Sequence, residues 1–88
     1  MRILLVEDDS SLGDGIYKGL KQYGYTVDWL TDGRTALSSI KTETFDVILL
    51  DLNLPGLPGL SVLREMRAAG ITVPVLILTA RHAIEDRI

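Results

Sequence analysis

Asp46-Val47-Ile48-Leu49-Leu50-Asp51-Leu52-Asn53-Leu54-Pro55-Gly56 is the stretch on which the reading of this chain turns. Its first part, Val47–Leu50, is apolar at every position rather than at every second one. A strand with one wet face alternates, whereas a parallel strand sheathed by helices on both sides does not. The run ends on a carboxylate, Asp51, and passes into a segment of turn formers that includes Asn53, Pro55, Gly56, Pro58 and Gly59.

Two other short runs have the same character, Ile3–Val6 and Val75–Leu78. A fourth, Tyr25–Leu30, alternates and places Tyr25, Val27 and Trp29 on one side, as a strand nearer the sheet edge would. Between the runs the period becomes helical. After Ser10, the expected N-cap, Leu12, Ile16, Leu20 and Tyr23 recur at three- and four-residue steps and Gly24 offers a stop. Thr31 or Asp32 can cap a second helix that turns Ala36, Leu37 and Ile40 inward. Pro58 suits the first turn of a third, expected to bury Leu60, Leu63, Met66 and the stem of Arg67 and to end at Gly70. Ala83–Ile88 has the character of the first turns of another helix. The order β-α-β-α-β-α-β with right-handed crossovers makes an α/β fold, a doubly wound parallel sheet.

Eighty-eight residues, 47% of them hydrophobic, suffice for one domain over 1–88 and not for two. The net charge of −3, with basic residues scattered along the chain, does not provide the clustered basic face of a nucleic-acid binder. The chain has no cysteine, hence no disulfide framework, thiolate metal site or thiol nucleophile. The apolar run before Glu7, Ile3–Val6, is only four residues long, too short for a signal peptide, and no segment approaches the ~20 residues of a membrane span. A cytoplasmic setting with no membrane partner is the expectation.

Glu7, Asp8 and Asp9 follow the first strand and Asp51 follows the third. Ligand sites of open α/β sheets lie beyond the carboxyl ends of strands, where the strand order reverses. If strands one and three are neighbours, Glu7, Asp8 and Asp51 converge there, and converging carboxylates repel one another unless a cation holds them. Hard oxygen donors without His or Cys favour Mg²⁺, and an aspartate beside Mg²⁺ can accept a phosphoryl group. Each piece alone has a plainer account: the triplet as a solvated loop or charged first turn, Asp51 as a turn residue, Thr79 as a β-branched strand end, 53–59 as a connection. Their conjunction at the ends of buried strands favours a site.

Val6-Glu7-Asp8-Asp9, Leu49-Leu50-Asp51-Leu52-Asn53-Leu54-Pro55 with Gly59, and Leu76-Ile77-Leu78-Thr79-Ala80-Arg81 together resemble the receiver domain of two-component response regulators, a flavodoxin-like fold, and in particular its OmpR-type subfamily and the QseB- and PmrA-like members. The resemblance covers essentially the whole chain. It implies Asp51 as phosphoacceptor; Mg²⁺ held by Asp8, Asp51 and the Asn53 backbone carbonyl, with Glu7 acting through water; Thr79 as switch hydroxyl; and Ala80 as the small residue that leaves the phosphoryl group room. It implies a sensor histidine kinase docking around Leu12–Lys21, and DNA contacts only through a winged-helix domain outside these residues. It implies a regulatory domain rather than an enzyme.

Relatives continue through a fifth strand, which carries a lysine, and two more helices; here no lysine follows Lys41. The expectation is therefore a receiver incomplete at its carboxyl end, with the fourth strand an open edge and a tendency to form a dimer or swapped oligomer. Position 58 is proline where many relatives have aspartate. Three rivals share parts of the pattern. An inactive fragment that only self-associates would keep the fold without the chemistry. A haloacid-dehalogenase-type phosphatase would want an aspartate where Asn53 stands. A flavodoxin-like cofactor binder would need a phosphate cradle where three acids stand. His82 has nothing around it that marks a ligand.

Overall fold

A computed structural model of the chain describes residues 1–78 and the backbone of 84–87. Four parallel strands, β1 (Arg2–Val6), β2 (Thr26–Leu30), β3 (Val47–Asp51) and β4 (Val75–Leu78), alternate with helices α1 (Ser10–Gln22), α2 (Gly33–Thr42) and α3 (Gly59–Ala68). A further strand, β5 (Ile84–Arg87), runs antiparallel to β4, and the sheet order is β2-β1-β3-β4-β5. The chain starts in the middle of the sheet, winds outward to β2, then crosses back over β1 to β3. That reversal beside β1 opens the crevice the sequence anticipates.

The apolar runs are continuous because both faces of the sheet are covered. Leu4, Val6, Ile48, Leu50, Val75 and Ile77 face α2 and α3 and share a core with Ala36, Leu37, Ile40, Val62 and Met66. The alternate residues Ile3, Leu5, Leu49 and Leu78 join Val27 on the other face, against Ile16, Tyr17 and Leu20 of α1. Tyr25, Val27 and Trp29 share that face and β2 is an edge strand, as its alternation implies.

Four details correct the sequence reading. The α1 cap is Asp9, not Ser10: its carboxylate accepts from the Ser11 and Leu12 N–H groups at 2.9 and 3.0 Å. An acceptor one residue earlier reaches two free first-turn donors, which starts the helix at Ser10 itself. Tyr23 is the C-cap and 81% exposed, because the helical phase has ended by then and Gly24 turns the chain at a φ of +87°. In α3, Pro58 is the N-cap and Gly59 the first helical residue, so Gly59, Val62 and Met66 face the sheet while Leu60 is 43% exposed.

The largest correction concerns the carboxyl end, where 84–87 form a strand and not a helix. Consequently β4 is not an open edge, since Leu78↔Ile84 and Val75↔Arg87 close its ladder. The main-chain groups along β4 offer residues 84–87 ladder hydrogen bonds at once.

Candidate functional site

Register builds the site. Leu5 lies beside Leu49 and Val6 beside Leu50 across the β1–β3 ladder, and side chains alternate along each strand. One step on, Glu7 and Asp51 therefore fall side by side on the α1 side of the sheet. Both are buried, at 2% and 9% exposure, while Asp8 is exposed. One carboxylate oxygen from each of Glu7, Asp8 and Asp51 lies within 4.8 Å of the other two, which makes this the one such acid group among the described residues.

The four acids are sorted by local geometry. Asp9 is turned away to cap α1 and takes no part in the group. Glu7 has its main chain held by β2: its N–H donates to the Leu30 carbonyl at 3.0 Å, and its own carbonyl accepts from the Trp29 indole Nε1 at 2.9 Å. Asp51 is the last residue of β3, and its Oδ1 accepts weakly from the Asn53 N–H at 3.4 Å. The Gly59 N–H donates to the Leu52 carbonyl at 3.0 Å, which presses the start of α3 onto the end of β3. A Cβ at Gly59 would come within 2.2 Å of the Asp51 carbonyl oxygen, so only glycine fits there.

Burial, above all, pushes the Glu7 carboxyl up to about 7; a carboxyl–carboxyl contact with Asp51 and the charges of Asp51 and Asp8 act in the same direction, and the Asp9 N–H opposes them. Thr79, Ala80 and His82 lie outside the described residues.

A model of the response regulator receiver domain matches residues 3–88. The chain belongs to this family. Among curated relatives, the transcriptional regulatory protein QseB of Escherichia coli O157:H7 is 51% identical over 88 residues, which are all of this chain and 40% of QseB. The response regulator protein PmrA of Pseudomonas aeruginosa gives the same identity and the same shares. These are OmpR-type regulators, as the motifs imply, and the receiver spans about two-fifths of their length. Among solved structures, the receiver domain of the sensor histidine kinase PA1611 from P. aeruginosa PAO1, which has a magnesium ion coordinated in its active site cleft, superposes with a TM-score of 0.85 at 42% identity, over 90% of this chain and 66% of that one.

The receiver's acid pocket fits a divalent cation on its own geometry. Glu7 Oε2 is buried with no hydrogen-bond partner, and a buried acceptor without a donor costs roughly 1–3 kcal/mol. Three carboxylates within reach of one point, with no His or Cys among the described residues, form the donor set of a hard cation. Glu7, Asp8 and Asp51 are therefore brought together as the sequence implied. Asn53 lies two residues beyond the end of β3, on the loop, and is exposed.

Sequence reasoning missed the residues that hold the acids in place. Gly13 and Trp29 form one pair, since a Cβ at 13 would meet the indole at 2.2 Å. Gly33 forms another contact of this kind, because its Cβ would strike the Leu57 carbonyl, and its N–H donates to Pro55 at 3.2 Å. The signal for Trp29 was present: it is the only tryptophan in the chain, at the end of an alternating strand.

Proposed function

We propose that this receiver accepts a phosphoryl group on Asp51 in a Mg²⁺-dependent step and so acts as the regulated input of a two-component transcriptional regulator. One observation carries the reading: three carboxylates meet at the ends of β1 and β3 with a buried Glu7 oxygen left without a partner. Asp8, Asp51 and the Asn53 backbone carbonyl would hold the cation directly, and Glu7 through water. The bound ion supplies charge neutralisation for the incoming phosphoryl oxygens.

Asp51 is the nucleophile because it is buried at a strand end with one oxygen only weakly engaged, by the Asn53 N–H. A carboxylate oxygen of Asp51 attacks the phosphorus of a phosphohistidine on a sensor kinase, or of an acyl phosphate. An O–P bond forms, the N–P or acyl O–P bond breaks, and the leaving imidazole or carboxylate keeps the electron pair. The Thr79 hydroxyl donates to a phosphoryl oxygen of the product, and Ala80 leaves it space. The product is a signalling state, so the role is regulatory rather than that of a turnover enzyme.

The kinase docks around Leu12–Lys21, on the exposed side of α1 beside the pocket. DNA contact belongs to a separate winged-helix domain, in keeping with the length of QseB and PmrA beyond the matched residues. No described helix is long and apolar enough to cross a membrane, and phosphotransfer from a kinase's cytoplasmic part would place the receiver in the cytoplasm.

Incubation with acetyl phosphate and Mg²⁺, followed by intact mass measurement, tests the reading. A gain of one phosphoryl group is expected, and none in an Asp51→Asn variant or with the metal chelated. Modification that persists in Asp51→Asn would overturn the assignment of the acceptor.

A further inference from the structure

We infer that Trp29 is a positioning residue for the cation pocket and ties that pocket to the face of α1. The inference rests on the Mg²⁺ reading of the acid group given above. Glu7 lies one residue beyond β1, where the regular ladder no longer fixes the chain. The orientation of its two peptide groups decides where the Glu7 and Asp8 carboxylates point. On the amino side, the Glu7 N–H is fixed by the Leu30 carbonyl. On the carboxyl side, the peptide joining Glu7 to Asp8 is fixed by the indole, whose Nε1–H donates to the Glu7 carbonyl at 2.9 Å from a part-buried position. Without it the carboxyl-side peptide of Glu7 loses this anchor, and Asp8, which that peptide carries, is exposed.

The indole is itself seated by α1. Its six-membered ring lies over Gly13, where even a methyl group would collide at 2.2 Å. The Tyr17 ring packs against it with centroids 5.9 Å apart, and the Lys21 ammonium lies 5.8 Å from the centroid of the Tyr17 ring. A continuous run of contacts thus leads from the exposed surface of α1, through Tyr17 and Trp29, to the main chain of Glu7. A protein that docks on α1 and shifts Tyr17 changes the seat of the group that orients two of the three carboxylates. Such a chain of packed groups is a physical route for coupling a docking surface to a site.

The test isolates the N–H. Because Trp29 is the only tryptophan, biosynthetic replacement by β-(benzothienyl)alanine exchanges the N–H for sulfur at one position and keeps the bicyclic shape. Mg²⁺ binding is then measured by calorimetry on the unmodified protein, on the replaced protein and on a Tyr17→Phe control, with thermal melts beside each. The expected result is Mg²⁺ binding weakened about five- to tenfold by loss of the N–H, the scale of one hydrogen bond, with the metal-free melting temperature little changed and the Tyr17→Phe control unaffected. A merely structural role would lower the melting temperature and leave the affinity alone, and that outcome overturns the inference. An Asp8→Asn variant separates the two levels: if it loses Mg²⁺ binding while the replaced protein keeps it in full, the pocket stands and the Trp29 role falls. If the unmodified protein binds no Mg²⁺, both fall together.

Discussion

Glu7 is the residue at which function costs stability. Its carboxyl is pushed from 4.5 in an open chain to about 7 in the fold, chiefly by burial and then by Asp51 and Asp8. A raised acid pKa means that the folded state holds the proton more tightly, so folding is most favoured below 4.5. Stability is lost as pH rises through the window from about 4.5 to about 7. The loss is at most about 3 kcal/mol across that window. Metal-free melts should accordingly decline over this range, and a Glu7→Gln variant should flatten the decline. Mg²⁺ should raise the melting temperature more above pH 7 than below 4.5, since it binds the ionised pocket. An equal Mg²⁺ response at both ends of the range would show that Glu7 does not belong to the metal's surroundings. Asp51→Asn, which removes the proposed acceptor, should stabilise the metal-free protein by about 1 kcal/mol through relief of like charge.

At the scale of elements, two loop-to-helix junctions bring the acids into place, and they should respond differently to mutation. Asp9→Ala removes an acceptor for two α1 N–H groups and should lower stability by about 1 kcal/mol, with Mg²⁺ affinity nearly kept because Asp9 is outside the acid group. Gly59→Ala forces a methyl to within 2.2 Å of the Asp51 carbonyl, and its relief must move α3 or the end of β3. About 1–3 kcal/mol of destabilisation is expected, accompanied by slowed phosphorylation that Asp9→Ala does not show; denaturant titrations and mass-monitored labelling separate the two. The strands, their order and the meeting of Glu7, Asp8 and Asp51 could be read from sequence because a period of none, two or 3.6 residues reports burial directly. What escaped was phase and competition. The choice between Ser10 and Asp9 as cap depends on which side chain reaches free N–H groups. The exchange of Leu60 for Val62 depends on where α3 begins. The fate of 84–87 depends on the β4 edge offering more hydrogen bonds than a single helical turn. Trp29 and Gly13 stayed hidden because their meaning lies in a contact between elements sixteen residues apart in sequence (29 minus 13).

Across the whole molecule the two faces of the sheet are unequal. Leu4, Val6, Ile48, Leu50, Val62, Met66, Val75 and Ile77 are enclosed under α2 and α3. The other face has α1, which packs chiefly on β1 and β2, and there Val47 and Leu76 are only half-buried. Self-association is therefore expected through this face. β5 occupies the β4 edge and is itself the outer strand on that side. The β2 edge carries Asp28, which is paired with Arg2 at 2.6 Å, and Arg2 also reaches Glu43 at 2.6 Å; charge in the middle of an edge strand opposes pairing with another copy. Light scattering over a concentration series up to tens of micromolar should show the mean mass rising above that of one chain. Leu76→Ser should return it toward a monomer with little loss of stability, because the side chain is already half in water. Leu50→Ala, on the enclosed face, should cost about 2–5 kcal/mol and leave the association of the folded fraction unchanged. A constant monomer mass over the series would sink the expectation, and association that survives Leu76→Ser would move it to another surface.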